Sequence, residues 1–383
     1  MHTSRSGLAP WLCGIVLLLG CLLLPAASQA QSPSETADST AASAATADSM
    51  AAHDAGESRW LLLPFAAYAP ETKLSGGIVA GWYESPQGGR APSNVQGGVT
   101  VTQRRQLILQ IALEWYVRNH RWRLNGTLLV SRFPDAFFGI GGDTPADAEE
   151  AFTTRRIQWD AAAQRAMGPD WRLGGRLVGH LSRVSDADAG GQIATGAVPG
   201  AGGTTVLGVG PALFADTRDD LYFPTHGTFV DLAVLGHSAL WGSDATFVRL
   251  LSDLRGYRSL GATVFAGNLY SEAVTGTVPF EVLPQLGGST YMRGYRQGRY
   301  RDRVYWTAQA EARLPLFWRF RMAAFANVGE VGPRPGGDLL DAVQAAAGLG
   351  GRFRLTDNGV YARADLAYGA SGFQLYLSLG EAF

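Results

Sequence analysis

Beyond residue 30 the chain contains no cysteine; its two thiols, Cys13 and Cys21, both lie near the start. Disulfides, thiolate metal sites and cysteine catalysis are excluded from everything downstream. Charge is also scarce. Asp, Glu, Lys and Arg make up 17% of the sequence, against about 25% in an ordinary soluble domain. The formal net charge is −1, so there is no basic footprint for nucleic acid. The six histidines (His2, His53, His120, His180, His226 and His237) show no metal-ligand spacing. No Gly-x-Ser-x-Gly elbow occurs. No glycine-rich stretch follows a strand and opens a helix as a phosphate loop does. The expectation is a protein that is not an enzyme and holds neither metal nor cofactor.

Long apolar runs are missing too, with one exception at the N-terminus. His2 and Arg5 precede an apolar run from Trp11 to Leu24, Pro25 breaks it, and Ser28-Gln29-Ala30 offers small residues for cleavage before Gln31. Residues 1–30 read as a signal peptide. Leu19-Gly20-Cys21 has the look of a lipoprotein box, but Leu22, Leu23 and Leu24 are too apolar for a lipidated start. No other run approaches the ~18 apolar residues of a membrane helix. An exported chain of this kind that enters a membrane must span it by strands.

What is present is small, aromatic and alternating. There are 49 glycines, 17 phenylalanines and 13 tyrosines, a composition of strands and tight turns. Residues 31–57 stand apart. They hold five acids (Glu35, Asp38, Asp48, Asp54, Glu57), no Lys or Arg, and too little apolar surface to offset ordering. They read as a disordered lead, and 58–383 as one domain.

From Arg59 onward the period is two. Trp122, Leu124, Gly126, Leu128 and Val130 share one face, while Arg121, Arg123, Asn125 and Thr127 share the other. Trp171, Leu173, Leu177 and Leu181 oppose Arg172, Arg176, His180 and Ser182. Val304, Trp306, Ala308, Ala310, Ala312 and Leu314 oppose Arg303, Tyr305, Thr307, Gln309, Glu311 and Arg313. Alternation of this kind is the strand signal. Strands of ~10 residues with repeated charge on one face suit a lipid-facing wall around a wet lumen. On this view Trp122, Leu124 and Leu128 face lipid, and Arg121, Arg123 and Asn125 accept polar changes with little loss. About sixteen such segments are found, one of them near 120–132, so the fold class is an all-β, transmembrane antiparallel barrel. An even count puts both ends in the periplasm. The long connections, Phe133 to Glu150, Ser185 to Gly203 and Thr277 to Arg301, then fall outside. In the last segment Phe373, Leu375, Leu377, Leu379 and Phe383 line one face, and Glu381 departs from the pattern.

One connection is unlike the others. Gly287 to Asp302 carries four arginines, four glycines and three tyrosines in sixteen residues. In its centre, Met292-Arg293-Gly294-Tyr295, the glycine allows a tight backbone and the tyrosine a packing face. The arginine presents a fork of donors that wants a carboxylate or amide. This stretch resembles the Val/Ile-Arg-Gly-Phe/Tyr loop of the outer-membrane assembly superfamily that contains BamA and TamA, the bacterial surface antigen type. Other stretches resemble it in the same order. They are Ala69-Pro70-Glu71-Thr72, the Phe133–Pro145 run with its Phe138-Gly139-Ile140-Gly141, and Asp216-Thr217-Arg218-Asp219-Asp220 with Pro224 and Gly227. Gln309, Glu311 and Arg313 match the strand after the loop.

The resemblance implies a sixteen-stranded barrel in the bacterial outer membrane with the long extracellular loop folded into its lumen. It implies a member without periplasmic repeats, because residues 31–57 are too few and too simple to make one. It also implies assembly or translocation of outer-membrane substrates through a seam between the first and last strands. The partners would be outer-membrane lipid and unfolded outer-membrane proteins. A passive diffusion pore with a charged lumen is the alternative. Arg293, Gly294 and Tyr295 are expected to anchor the loop, with Asn327, Glu311 and Glu330 as partners. Asp216, Arg218 and Asp219 are expected to form a family turn. The superfamily places Asp where Asn327 stands in Phe325-Ala326-Asn327-Val328-Gly329. Restoring Asp is therefore expected to tighten the loop through a charge-assisted bond.

Overall fold

Two-residue periodicity builds a wall of paired strands. The computed structural model describes residues 59–84, 93–336, 340–355 and 361–383; the expected signal peptide and lead lie outside these residues. The first strands are β1 (Arg59–Ala69), β2 (Lys73–Tyr83), β3 (Asn94–Thr102), β4 (Leu107–Val117), β5 (Trp122–Phe137) and β6 (Glu150–Ala166). Then come β7 (Trp171–Ser185), β8 (Thr205–Asp216), β9 (Gly227–His237), β10 (Phe247–Leu260), β11 (Thr263–Val274), and the short β12 (Gln285–Leu286) and β13 (Tyr300–Arg301). The chain finishes with β14 (Val304–Pro315), β15 (Phe320–Gly332), β16 (Gln344–Arg354), β17 (Tyr361–Gly369) and β18 (Gly372–Leu379).

All but β12 and β13 close into one sixteen-stranded antiparallel barrel, with β11 beside β14 and β18 returning to β1. Among the described residues no helix is long and apolar enough to cross a membrane. The outer wall is apolar. On β4, Leu107, Leu109, Ile111, Leu113 and Trp115 are exposed, while Gln110 and Glu114 are buried inside.

The lumen is crowded where the alternation pattern implies a wet channel. Arg123, Arg293, Arg301, Arg313 and Arg352 are each less than 2% exposed. Arg123 donates to Glu114 at 2.7 Å, Gln164 at 3.0 Å and Asn125 at 3.2 Å, with its guanidinium 4.4 Å from the Phe214 ring centre. The expected tolerance of Arg123 to polar change is therefore corrected: its removal leaves a buried carboxylate without its cation.

Two boundaries differ from expectation for clear reasons. β5 runs on to Phe137, through residues that read as loop. Its pairing with β4 stops at Arg132, but pairing with β6 continues from Phe133↔Thr154 to Phe137↔Glu150. Pro134 therefore sits where β5 has become an edge, and an edge can lack an N–H. At the other end, Phe373, Leu375 and Leu377 face outward, but β18 ends at Leu379. The backbone turns at Gly380 (φ 80°), and Phe383 packs inside the barrel with Tyr257, Ala266 and Ala382. Phe383 is thus not on the lipid face. Glu381, the odd residue in the pattern, accepts from Arg352 Nε at 2.8 Å.

The closing junction is thin. β1 and β18 share one partnered pair, Tyr68↔Leu377, whereas β1 and β2 are paired from Arg59↔Tyr83 to Ala69↔Lys73. The two strands are slipped past each other. Above Leu377, β1 has already given way to its turn; below Tyr68, β18 has already turned inward.

Candidate functional site: the arginine loop in the lumen

The connection after β11 enters the barrel as a hairpin whose stem is the pair Gln285↔Arg301 and Leu286↔Tyr300. Gly287 and Gly288 open its tip with φ of 119° and 95°, values that disfavour any side chain. A Cβ on Gly287 would lie 2.1 Å from the Arg296 carbonyl oxygen. The outer half is held by rings. Phe280 is fully buried edge-on to Phe137 and Phe152, with centroids 5.3 and 5.4 Å away.

The arginines divide the work of attachment. Arg296 donates to Asp135 at 2.5 Å, and Arg299 to the Thr144 hydroxyl and carbonyl at 3.0 and 2.7 Å. Gly141 donates its N–H to the Arg301 carbonyl at 2.9 Å. These bonds tie one side of the loop to the Phe133–Pro145 stretch. Arg293 reaches the opposite wall. Its Nη1 donates to Asp365 Oδ2 at 2.7 Å. Its Nη2 lies 2.7 Å from Glu311 Oε2, an ion pair without hydrogen-bond alignment. The guanidinium covers the Phe325 ring at 3.6 Å. The loop thus bridges the lumen from β5 to β17.

Both carboxylates are shared. Glu311 also accepts from Arg313 Nε at 2.8 Å and lies 3.5 Å from Arg352 Nη2. Asp365 accepts from Arg352 as well. Glu381 joins Arg352 to Arg313, the latter at 3.7 Å. Alternating charge is the arrangement that makes burying so many ions tolerable.

The other expected residues fall as follows. Gly294 has φ 106°, and a Cβ there would stand 2.5 Å from that of Ala346; its N–H donates to the Tyr376 hydroxyl at 3.0 Å. Tyr295 donates to the Ala345 carbonyl at 3.0 Å, and its own carbonyl accepts from Tyr376 at 3.0 Å. Asn327 comes to the loop as a donor: its Nδ2 lies 2.8 Å from the Arg293 carbonyl and 3.2 Å from Met292 Sδ. Flipping the amide would set oxygen against oxygen, which fixes the assignment. Glu330 is not brought to Arg293. By alternation it falls on the other face from Asn327, near the outer rim, and accepts from the Ala342 N–H at 2.8 Å. Its expected role as an anchor for Arg293 is corrected on that ground.

Asp216, Arg218 and Asp219 lie at the far end, in the β8–β9 turn. Arg218 binds Asp216 through Nε and Nη2, at 3.1 Å to Oδ1 and 2.6 Å to Oδ2. Asp219 accepts the N–H groups of Thr225 and His226 at 2.8 and 3.0 Å. The three stabilise a turn and stand apart from the loop.

Asp365 and Tyr376 are the partners that sequence reasoning missed. Arg363 and Asp365 alternate on β17, so a charged inner face was legible there. Which of many inward carboxylates meets Arg293 depends on barrel closure. Between the loop and the seam remains a cavity of about 200 Å³, lined among others by Tyr68, Glu71, Ser289, Tyr291, Tyr376 and Leu377.

Comparison with known proteins agrees with this architecture. The Omp85 superfamily domain matches residues 90–383. BamA from Haemophilus ducreyi lacking POTRA domains 1–3 is similar at 12% identity and a TM-score of 0.59, over 84% of this chain and 70% of that one. CdiB from Acinetobacter baumannii is similar at 12% identity and TM-score 0.56, over 84% of this chain and 59% of that one. CdiB from Escherichia coli gives 11% and 0.55, over 84% and 63%. The chain thus spans less than two thirds of either CdiB. No curated protein matches the sequence.

Proposed function

The chain belongs to the Omp85 superfamily of bacterial outer-membrane barrels, and from that premise we propose that it inserts or translocates outer-membrane protein substrates through the junction of β1 and β18. The observation that carries this is the single partnered pair, Tyr68↔Leu377, at the one place where the barrel closes. Below it, the edge of β1 offers backbone donors and acceptors to an incoming strand. Pro64 lies in that edge and contributes no N–H, which limits unwanted edge pairing. The cavity beside Tyr68 and Leu377 adjoins the same junction from within. The lumen-filling loop weighs against the alternative, a passive diffusion pore.

A disulfide tests it. Beyond residue 30 the native chain has no thiol to interfere. Tyr68→Cys with Leu377→Cys, oxidised, should give a normally folded barrel that no longer promotes insertion of a second barrel protein into liposomes, and reduction should restore it. An oxidised variant as active as the reduced one would overturn the seam as the route.

A further inference from the structure

We propose that the outer wall of β5, β6 and β7 binds the phosphate groups of an outer-leaflet lipid on a row of three arginines, Arg132, Arg155 and Arg183. Strand register sets the row. Arg132 is the partner of Arg155, and Arg155 is the partner of Arg183, so the three stand side by side on adjacent strands. Parity turns all three outward, and all three are exposed. Arg132 continues the face of Leu128 and Val130, and Arg155 that of Ile157, which are themselves exposed on the wall. Residues of the other parity point inward. Ser131 accepts from Arg156 Nε at 3.2 Å, and Ser182 donates to Glu281 at the base of the lumen loop.

Such a row is unfavourable by itself. Neighbouring strands lie about 4.8 Å apart, so three cations share a line of about 10 Å. Like charges directly opposite each other destabilise a strand pair. The wall does little to neutralise them. Arg155 and Arg183 make no ion pair and no side-chain hydrogen bond among the described residues. Arg132 donates to the Arg105 carbonyl at 3.3 Å. Asp186 stands 3.9 Å from Arg132 Nη2, with the two side chains 43% and 67% exposed, and a pair so open to water is weak. Asp188 is engaged with the Ala151 N–H at 2.7 Å. One step further out the wall is neutral, with Pro134, Thr153 and Ser185 in register. Arg123, Arg176 and Arg293, inside the same barrel, each hold a buried carboxylate.

The position of the row selects a lipid over a free anion. It lies at the end of the barrel that carries the long connections, opposite the start of β1 and the end of β18, and so at the outer leaflet. Towards the membrane centre the same face is apolar. Val130, Ile157 and Leu181 form the next rung, and Leu128 and Trp159 the one after. A rung is two residues of strand, roughly 7 Å. The Trp159 ring lies across Gly179, where a Cβ would be 2.1 Å from it, so the ring lies flat against the wall. A lipid whose phosphates rest on the arginines therefore lays its acyl chains on these side chains. Guanidinium forks match phosphate oxygens and can bind them through paired hydrogen bonds. A free phosphate would gain nothing from the apolar rungs.

The test uses the full chain folded in detergent micelles, with bound lipid counted by native mass spectrometry. The probes are lipid A carrying two phosphates and the same lipid with its phosphates removed. The phosphorylated form should be retained at least tenfold better. Arg155→Gln should lower that ratio about fivefold, the effect of one basic residue at an anionic surface. Arg155→Gln with Arg183→Gln should abolish it, while heat-modifiable gel mobility stays intact. If the double variant fails to fold, Arg155→Gln and Arg183→Gln singly carry the test. Arg258 is exposed on the outer wall at the opposite end of the barrel, in register with Phe265, and Arg258→Gln should have no effect. Four results would overturn the site: equal retention of both lipids, an unchanged ratio in the arginine variants, an Arg258→Gln effect as large as that of Arg155→Gln, or displacement of the lipid by millimolar inorganic phosphate.

Discussion

Arg293 binds carboxylates on two strands at once, and each has another cation. With Arg293→Ala, Glu311 keeps Arg313 at 2.8 Å and Asp365 keeps Arg352. The wall therefore remains neutralised while the loop loses its inner anchor. The expected outcome is a loop destabilised by about 1.5–3 kcal/mol, the range for losing a hydrogen bond to a charged group, in a barrel whose heat-modifiable transition moves far less. Single-channel conductance and protease cleavage within residues 285–301 would both rise; no change in either would remove Arg293 as the anchor. Asn327 reverses an expectation. Its amide donates to the Arg293 carbonyl at 2.8 Å, a bond that a carboxylate cannot make. Asn327→Asp should therefore loosen the loop, by about 1–3 kcal/mol, rather than tighten it. The same two measurements decide the sign.

At the scale of the element, the loop is fixed at both ends by different chemistry. Its inner tip rests on ion pairs and tyrosine hydroxyls, its outer base on Phe280 and on Glu281. Glu281 accepts from the Ser182 hydroxyl, and His180 Nε2 lies 3.8 Å from it. Burial favours the neutral acid, but the His180 ring and then the Ser182 hydroxyl outweigh it, bringing the carboxyl from 4.5 down to about 2. A depressed carboxylate contributes its stability above the ordinary value and loses it as pH falls through the lowered one. The base should thus stay docked at neutral pH and release progressively between pH 4.5 and about 2. Conductance recorded down that range should rise in the native protein. Glu281→Gln should be partly open already at pH 7 and show a smaller rise. A native profile identical to that of Glu281→Gln would show that the carboxylate contributes nothing to docking.

For the whole molecule, the contrast is between two environments a few ångströms apart. Leu128 is 39% exposed on the outer wall, while Arg123 on the same strand is 1% exposed within. Leu128→Arg should cost roughly 2–4 kcal/mol if it sits near the bilayer midplane, and less towards an interface. Arg123→Gln is expected to cost a comparable amount by leaving Glu114 buried without its cation. Urea titration of the folded barrel in lipid vesicles would compare the two. An Arg123→Gln barrel as stable as the native one would mean that water enters this part of the lumen.

The sequence by itself determined the strands, the two faces of the wall, the barrel and the singular character of the loop. Each of these follows from short-range facts: a period of two, glycine where the backbone turns, arginine where there is no solvent-facing reason for it. Glu311, Gln309 and Asn327 were legible as inward residues for the same reason. What alternation does not carry is position around the barrel. Asp365 is 72 residues from Arg293 and meets it only when sixteen strands have closed and the hairpin has folded back. Glu330 read as a neighbour because it is close in sequence, yet a parity of one placed it on the other face. Phe383 read as a lipid-facing residue because the pattern extends to it, yet Gly380 turns the backbone and sends it inward. The tertiary structure alone decided how wet the lumen is, which carboxylates share which arginine, and how little of β1 meets β18. Those are properties of packing and register across the closed circle, and no local periodicity encodes them.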